Sequence, residues 1–566
     1  MKKKIIPVLF VLVLIILIGA VAVGLWLKEK YSYSNEVLDL QEYFQVKNGE
    51  RAILLGNDRL EEKALVENDV CYLTLSQVRR DLNEIFYVDE EEGLLLYTDA
   101  ETTMEARMGE TGYYTDGVKT DTPYVIYMQK GGKSYLALDF VKLFTNFEYR
   151  VYDYWMQLTT SWDEKNMIVA SGETKLRQKG GIKSPILADV SEGDELEILE
   201  RMTDWCKVKT ADSLIGYVEN KMLGEEFRRT PVPVTDYVEP EYTNISLDKK
   251  VSLGWHSVGG IGGNASLDNM VAGTKGLNVI APTWFSLIDS EGGMRSFGET
   301  SYVDRAHQLG LQVWGVLDDF NYELETGTPI SCYSVLSSTS NRRKLEQTVI
   351  DEALRLGLDG INLDFEQLSE ECGVHYAQFL RELSVLCRKN RLILSADNKV
   401  PYHYNEYQCL DVQSVVADYV IIMGYDEHWH KSGNPGSVAS IDYVTGGLEK
   451  TLEKVPANKV INGLPLYTLV WKIDGATVTD EILSIANTPA FLQRINKKPE
   501  WDNAACQNYL EWTSGNATYK VWLEDAESIR MKLNVMIANK IGGAAVWRLG
   551  YGTPAIWELI NAFTSS

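Results

Sequence analysis

The sequence predicts an α/β protein in which residues 242–566 form a closed (β/α)8 barrel. Three observations carry this. Eight strand-like apolar runs alternate with amphipathic stretches beyond residue 242. The fourth run carries polar residues at every second position near its end. The gap before the eighth run is too long for one crossover, which predicts an inserted α+β subdomain at about residues 472–520. A barrel of this kind typically takes about 250 residues.

The eight runs are residues 251–255, 277–284, 311–317, 360–366, 392–396, 419–424, 460–465 and 543–547. Between them, residues 343–354 and 376–386 place apolar side chains at helical spacing, as a helix covering a sheet requires. A doubly wound sheet is the architectural alternative, but no Gly-rich phosphate loop follows the first run.

The chain opens with Met1 and three lysines, Lys2 to Lys4, followed by an uncharged run over residues 5–27. That is long enough for a transmembrane helix, which needs about 20 residues. Lysines before the helix favour a cytoplasmic N-terminus and an exported remainder. Residues 1–30 are read as a membrane anchor. A cleaved signal peptide is the rival reading, because Ala20, Val21 and Ala22 have the form of a cleavage site. Both readings carry the bulk of the chain out of the cytoplasm.

Residues 38–171 contain a weak repeat. Residues 72–78 (YLTLSQV) match 135–141 (YLALDFV), and each copy is followed by an aromatic strand pattern, at 85–89 and 147–153. Each copy reads as strand, short helix and hairpin. This segment resembles the small α+β domain at the N-terminus of some copper amine oxidases. It carries no His cluster, so no copper site is implied. In residues 173–224 the strand-like runs 196–200, 205–209 and 215–218, with Gly193, Asp204, Trp205, Gly216 and Tyr217 around them, resemble a bacterial SH3-like all-β barrel. The resemblance implies either a binder of cell-wall peptide or a spacer. Residues 225–241 read as an extended linker because their prolines break helices and ladders.

The formal net charge is −25, which argues against nucleic acid, since phosphate binding needs clustered Lys and Arg. The seven cysteines are scattered and include no C-x-x-C pair, so neither a zinc site nor a disulfide framework follows. His428 and His430 lack an evident third ligand, and no metal or cofactor is expected.

The chemistry concentrates on the fourth run. Side chains alternate faces along a strand, so Asn362, Asp364 and Glu366 share one face and Ile361, Leu363 and Phe365 the other. The apolar face suits the helix ring, which turns the polar row into the barrel. Burying such a row is costly unless it is hydrogen-bonded and used. Glu366 comes last, where barrel enzymes place catalytic groups. Asp364 close by raises the pKa of one carboxyl, as a general acid requires.

Residues 359–366 (DGINLDFE) resemble the D-x-x-D-x-D-x-E signature of glycoside hydrolase family 18, the chitinase-like family with a TIM barrel fold. Asn362 stands where chitinases carry the middle Asp, and the spore cortex-lytic, germination-type N-acetylglucosaminidases are similar in having Asn there. Residues 423–426 (MGYD) resemble the family's M-x-Y-D motif. Residues 463–468 resemble its seventh strand, and 542–547 its eighth, with Trp547 as the floor under the sugar. The resemblance implies catalytic roles for Glu366, Asp364, Tyr425, Asp426 and Asn362. It implies substrate contacts for Trp547, Met423 and Tyr467, to which Asp359 and Trp284 are added as further candidates. Trp284, Trp314 and Trp471 each read as sugar platform or as core. The resemblance further implies substrate-assisted, retaining hydrolysis beside an N-acetylated sugar. Peptidoglycan is favoured by the anchor and the SH3-like segment. Chitin, or a lectin without catalysis, is the alternative.

Overall fold

The computed structural model describes residues 5–233 and 237–565. The lysine cluster at residues 2–4 and the centre of the linker lie outside the described residues. The chain divides into two compact units.

The first unit contains residues 1–86, 107–113 and 121–239. Its N-terminal helix, Ile5–Tyr31, is long and apolar enough to cross a membrane, with mean hydropathy 3.3 in an 18-residue window of Val8–Tyr31 and none of that window buried. Two seven-stranded sheets follow. In the first, the two repeat copies lie side by side, with Tyr135 opposite Thr74 and Ala137 opposite Tyr72. The second holds the SH3-like strands Glu195–Arg201, Trp205–Lys209 and Ile215–Glu219. Lys165–Ala170 also pairs into that second sheet. One core, including Phe44, Leu54, Trp155, Leu176, Cys206 and Val218, joins the two sheets.

The second unit contains residues 240–566 together with 87–106 and 114–120. Its eight barrel strands are β1 (Val251–His256), β2 (Val279–Leu287), β3 (Gln312–Asp318), β4 (Gly360–Asp364), β5 (Ile393–Lys399), β6 (Tyr419–Met423), β7 (Val460–Pro465) and β8 (Gly543–Trp547). All neighbours pair in parallel, and β1 bonds to both β8 and β2, which closes the barrel. Every expected run is a strand. Between β7 and β8, a five-stranded antiparallel sheet spans residues 467–523 with one helix, Thr488–Ile495. This insertion begins five residues earlier than its expected start, because Tyr467–Asp474 continues directly from β7 as a strand.

Two helices line the outside of β4 and β5: α1 (Thr339–Leu356) and α2 (Gly373–Asn390). α1 starts at Ser338, whose hydroxyl accepts from the Asn341 N–H. It stops at Gly357, which takes the left-handed conformation (φ 76°) that glycine adopts without strain. Arg342 on α1 and Glu382 on α2 form a buried ion pair at 2.8 Å. The hairpin of Tyr87–Asp89 and Leu94–Thr98 docks on these helices. Asp89 accepts from the Thr339 N–H at 2.7 Å, Arg342 donates to the Tyr87 hydroxyl at 3.1 Å, and Gln378 donates to Thr98 at 3.0 Å.

Candidate active site

A cavity of about 630 Å³ opens at the C-terminal ends of the barrel strands, the end where barrel enzymes do chemistry. Asp364, Glu366, Met423, Tyr425, Asp426 and Trp547 all line it. Asp364 is the last residue of β4, and Glu366 lies two residues further, in the loop. The strand period still operates. Asn362 sits deeper on the same face, wholly buried, with its side-chain oxygen accepting from the Trp255 indole at 3.0 Å. Its amide donates to Ser395 at 3.0 Å and to Asp397 at 2.8 Å.

Glu366 is held from behind. Its backbone N–H donates to the buried Asp319 at 2.9 Å, and the Gln367 N–H donates to the same carboxylate at 3.1 Å. Burial pushes the Asp319 carboxyl up to about 7, against the pull of these two donors. Lys399, at the end of β5, donates to the Glu366 carbonyl at 2.9 Å, and its ammonium stands 3.5 Å from the Glu366 carboxylate.

Asp364 Oδ1 is sealed from solvent and accepts no hydrogen bond from any described residue. Burial raises its pKa well above the ordinary value, and the neighbouring charges of Glu366, Asp397, Asp318 and Asp319 push the same way. Such an oxygen is costly to leave unpaired.

Tyr425 is buried, and burial likewise raises its pKa. Asp426 takes a left-handed backbone (φ 61°) and accepts from the Tyr467 hydroxyl. Tyr467 therefore does not line the cavity itself but stands behind Asp426. Trp547 is half-buried against Trp255, edge to face at 6.2 Å, with part of its ring open to the cavity.

Two expected substrate contacts are corrected. Trp284 is fully buried away from the cavity, packed on Tyr302 with its indole donating to Asn264 at 2.8 Å. No sugar reaches its face. Asp359 precedes β4, at the opposite end of the strand from Glu366, and accepts from the Val313 N–H and His307 at 2.8 and 2.9 Å. It ties strand starts together. Trp314 and Trp471 are likewise fully buried core residues. His430 binds Asp480 of the insertion at 2.5 Å, and His428 faces the Asn434 carbonyl.

Sequence reasoning missed several lining residues. Asp397 and Lys399 extend β5 beyond its expected end. Tyr402, Tyr404 and Trp429 form an aromatic wall in which Tyr402 and Tyr404 stack at 5.2 Å and Trp429 is 57% exposed. Arg295 and its partner Glu325, 2.6 Å apart, also line the cavity.

The cavity thus brings two carboxyls at the end of the fourth strand together with a tryptophan at the end of the eighth. Comparison with known proteins identifies two domains. Residues 327–552 match the model of glycosyl hydrolases family 18, and residues 172–224 match that of the bacterial SH3 domain. The chain thus carries a family 18 glycoside hydrolase domain and a bacterial SH3 domain. It is 26% identical over 322 residues to the uncharacterized glycosylase YvbX of Bacillus subtilis (strain 168), covering 54% of this chain and 89% of that protein. It is 27% identical over 236 residues to the cortical fragment-lytic enzyme of the same organism, covering 40% of this chain. This chain spans about half, 54%, of that enzyme's length. In fold it is similar to the crystal structure of a chitinase from Chromobacterium violaceum ATCC 12472, with TM-score 0.50 and 22% identity, covering 56% of this chain and 99% of that one.

Proposed function

We propose that this protein is an exported, membrane-anchored, retaining glycosidase that cuts β-1,4 bonds beside N-acetylglucosamine in cell-wall peptidoglycan. The observation that carries the reading is the buried Asp364 oxygen, without a hydrogen-bond partner among the described residues, in one cavity with Glu366. The family is one in which the substrate supplies the nucleophile, and an acetamido N–H is the donor such an oxygen suits.

The reaction then runs as follows. Glu366 protonates the glycosidic oxygen as the bond to the anomeric carbon breaks. The acetamido oxygen of the −1 sugar attacks that carbon and forms an oxazolinium ion. Asp364 accepts the acetamido N–H, which orients the group and offsets its developing positive charge. Tyr425 and Asp426 support the acetamido group from the β6 side, and Trp547 forms the floor under the ring. Glu366 then removes a proton from water, which opens the ion with retention of configuration. No cofactor takes part.

Peptidoglycan is favoured over chitin by the SH3 domain and by similarity to an enzyme named for lysing cortical fragments. The SH3 domain holds the wall peptide, and the helix Ile5–Tyr31 keeps the enzyme at the membrane. Mass spectrometry of digested muropeptides and of chitin oligomers tests the reading. Glu366→Gln is expected to lower kcat about 10²–10⁴-fold with the fold intact, the range for loss of a general acid. An unchanged rate for that variant sinks the assignment.

A further inference from the structure

The fourth strand offers Asp364 no ionisable neighbour on the buried side, since Asn362 cannot take or give a proton. The neighbours come from the strands on either side. The β3–β4 register sets Asp318 directly beside Asp364, and the β2–β3 register sets Ser286 beside Asp318. On the other side, Asn362 pairs with Ser395 and Leu363 with Ala396, so the next step brings Asp364 level with Asp397. Three carboxyls thus form a row across β3, β4 and β5, all turned toward the barrel interior. Carboxyls at adjacent positions in a water-poor interior do not all ionise, so they share protons.

The three are not equivalent. Asp318 accepts from Ser286, the Phe320 and Asn321 N–H groups and the Asn321 amide, which occupies both of its oxygens and works against the burial that raises its pKa. Asp364 Oδ1 has no donor at all among the described residues. Asp397 is intermediate: it is 4% exposed, takes the Asn362 amide on Oδ1, and is faced by the Trp255 indole. It also lines the cavity.

We propose that Asp397 is the proton partner of Asp364, taking its carboxyl proton when a substrate N–H docks on Asp364 and returning it when product leaves. One O–H bond breaks on Asp364 and one forms on Asp397, so the pair keeps a single proton throughout. Asn362 is then a positioning residue, holding Asp397 by its amide while Trp255 fixes the orientation of that amide. The relay runs across the sheet rather than along β4. This rests on the functional reading above.

Other groups face the pair. Glu366 from the β4 loop and Asp319 after β3 act on Asp364, and Tyr425 after β6 and Tyr376 on α2 lie within electrostatic reach of the pair, while Lys399 on β5 and Asp426 after β6 line the same cavity. Burial raises both members of the pair. The folded state therefore holds a proton that the unfolded chain releases above its ordinary carboxyl pKa. Stability is then lost as pH rises from about 5 to about 8.

The test uses the full chain as wild type, Asp397→Asn, and the double variant Asn362→Asp with Asp397→Asn. The single variant keeps the shape and the amide contact but removes the proton site. It is expected to lose kcat about 10-fold or more, with KM within about twofold, on the scale of acid–base contributions. The double variant, which returns a carboxyl next to Asp364 along β4, is expected to recover most of the loss. Thermal unfolding between about pH 5 and about pH 8 provides a readout independent of activity. Wild type and double variant are expected to share a downward slope that is flatter in the single variant. An unchanged kcat, a double variant no faster than the single one, or an unchanged slope each overturns the proposal. If wild type cleaves no N-acetylated glycan, the functional reading falls, and the unfolding slope still decides whether the pair shares a proton.

Discussion

At the scale of single residues, the two tryptophans expected at the sugar behave oppositely. Trp547 presents part of its ring to the cavity, while Trp284 has none exposed. Trp547→Ala is therefore expected to lower kcat/KM about 10-fold or more, the scale on which a buried aromatic anchor counts in binding. Trp284→Phe is expected to leave KM and kcat unchanged below its unfolding temperature and to lower Tm, because Asn264 loses its partner. Steady-state kinetics and a melting curve on both variants separate the roles. Glu366, Asp364 and Asn362 were legible in the sequence because core packing alone never calls for a period-two polar row inside an apolar strand. Asp397 was hidden because its strand reads as ending at residue 396, where the apolar run stops. The strand in fact continues through Asp397 to Lys399. Trp284 misled because burial and exposure of an aromatic ring leave the same local pattern.

At the scale of elements, the eight barrel strands are legible because parallel strands buried on both faces must be continuously apolar. The partner of the α1–α2 helix pair is not legible, because it comes from a hairpin far away in sequence. Arg342 and Glu382 are buried together beneath that hairpin, with Arg342 also donating to Tyr87 and to the Leu336 carbonyl. Removing one partner of a buried pair leaves an uncompensated charge and costs about 3–5 kcal/mol. Arg342→Ala is expected to destabilise the barrel by that amount in urea unfolding while leaving KM near wild type. A loss below about 1 kcal/mol, typical of an exposed pair, contradicts this account.

At the scale of the whole molecule, the acidic chain joins a family 18 glycoside hydrolase barrel to a bacterial SH3 domain and an N-terminal helix long and apolar enough to cross a membrane. Within the SH3 sheet, Trp205, Arg177, Glu219 and Lys221 line a groove of about 290 Å³. Trp205→Ala is expected to weaken co-sedimentation with insoluble peptidoglycan about 10-fold, as loss of an aromatic anchor does. Hydrolysis of a small N-acetylglucosaminide is expected to stay at the wild-type rate. Equal sedimentation of both forms removes the SH3 groove from wall recognition. The order of the modules is readable from composition and turn residues. The shared core of the two N-terminal sheets is not, because each sheet alone satisfies its own local pattern.

The docked hairpin also sets a clock on biogenesis. Asp89 and its partner Thr339 lie 250 residues apart. At roughly 5–20 residues per second, the hairpin leaves the ribosome some 10–50 s before the helix start it holds exists. During that interval its strands present open edges and the apolar Leu94 and Leu96 side chains. A cell that makes this enzyme must therefore shield a finished N-terminal strand pair until the middle of the barrel arrives. An early-terminated chain would expose a sticky edge with nothing to cover it.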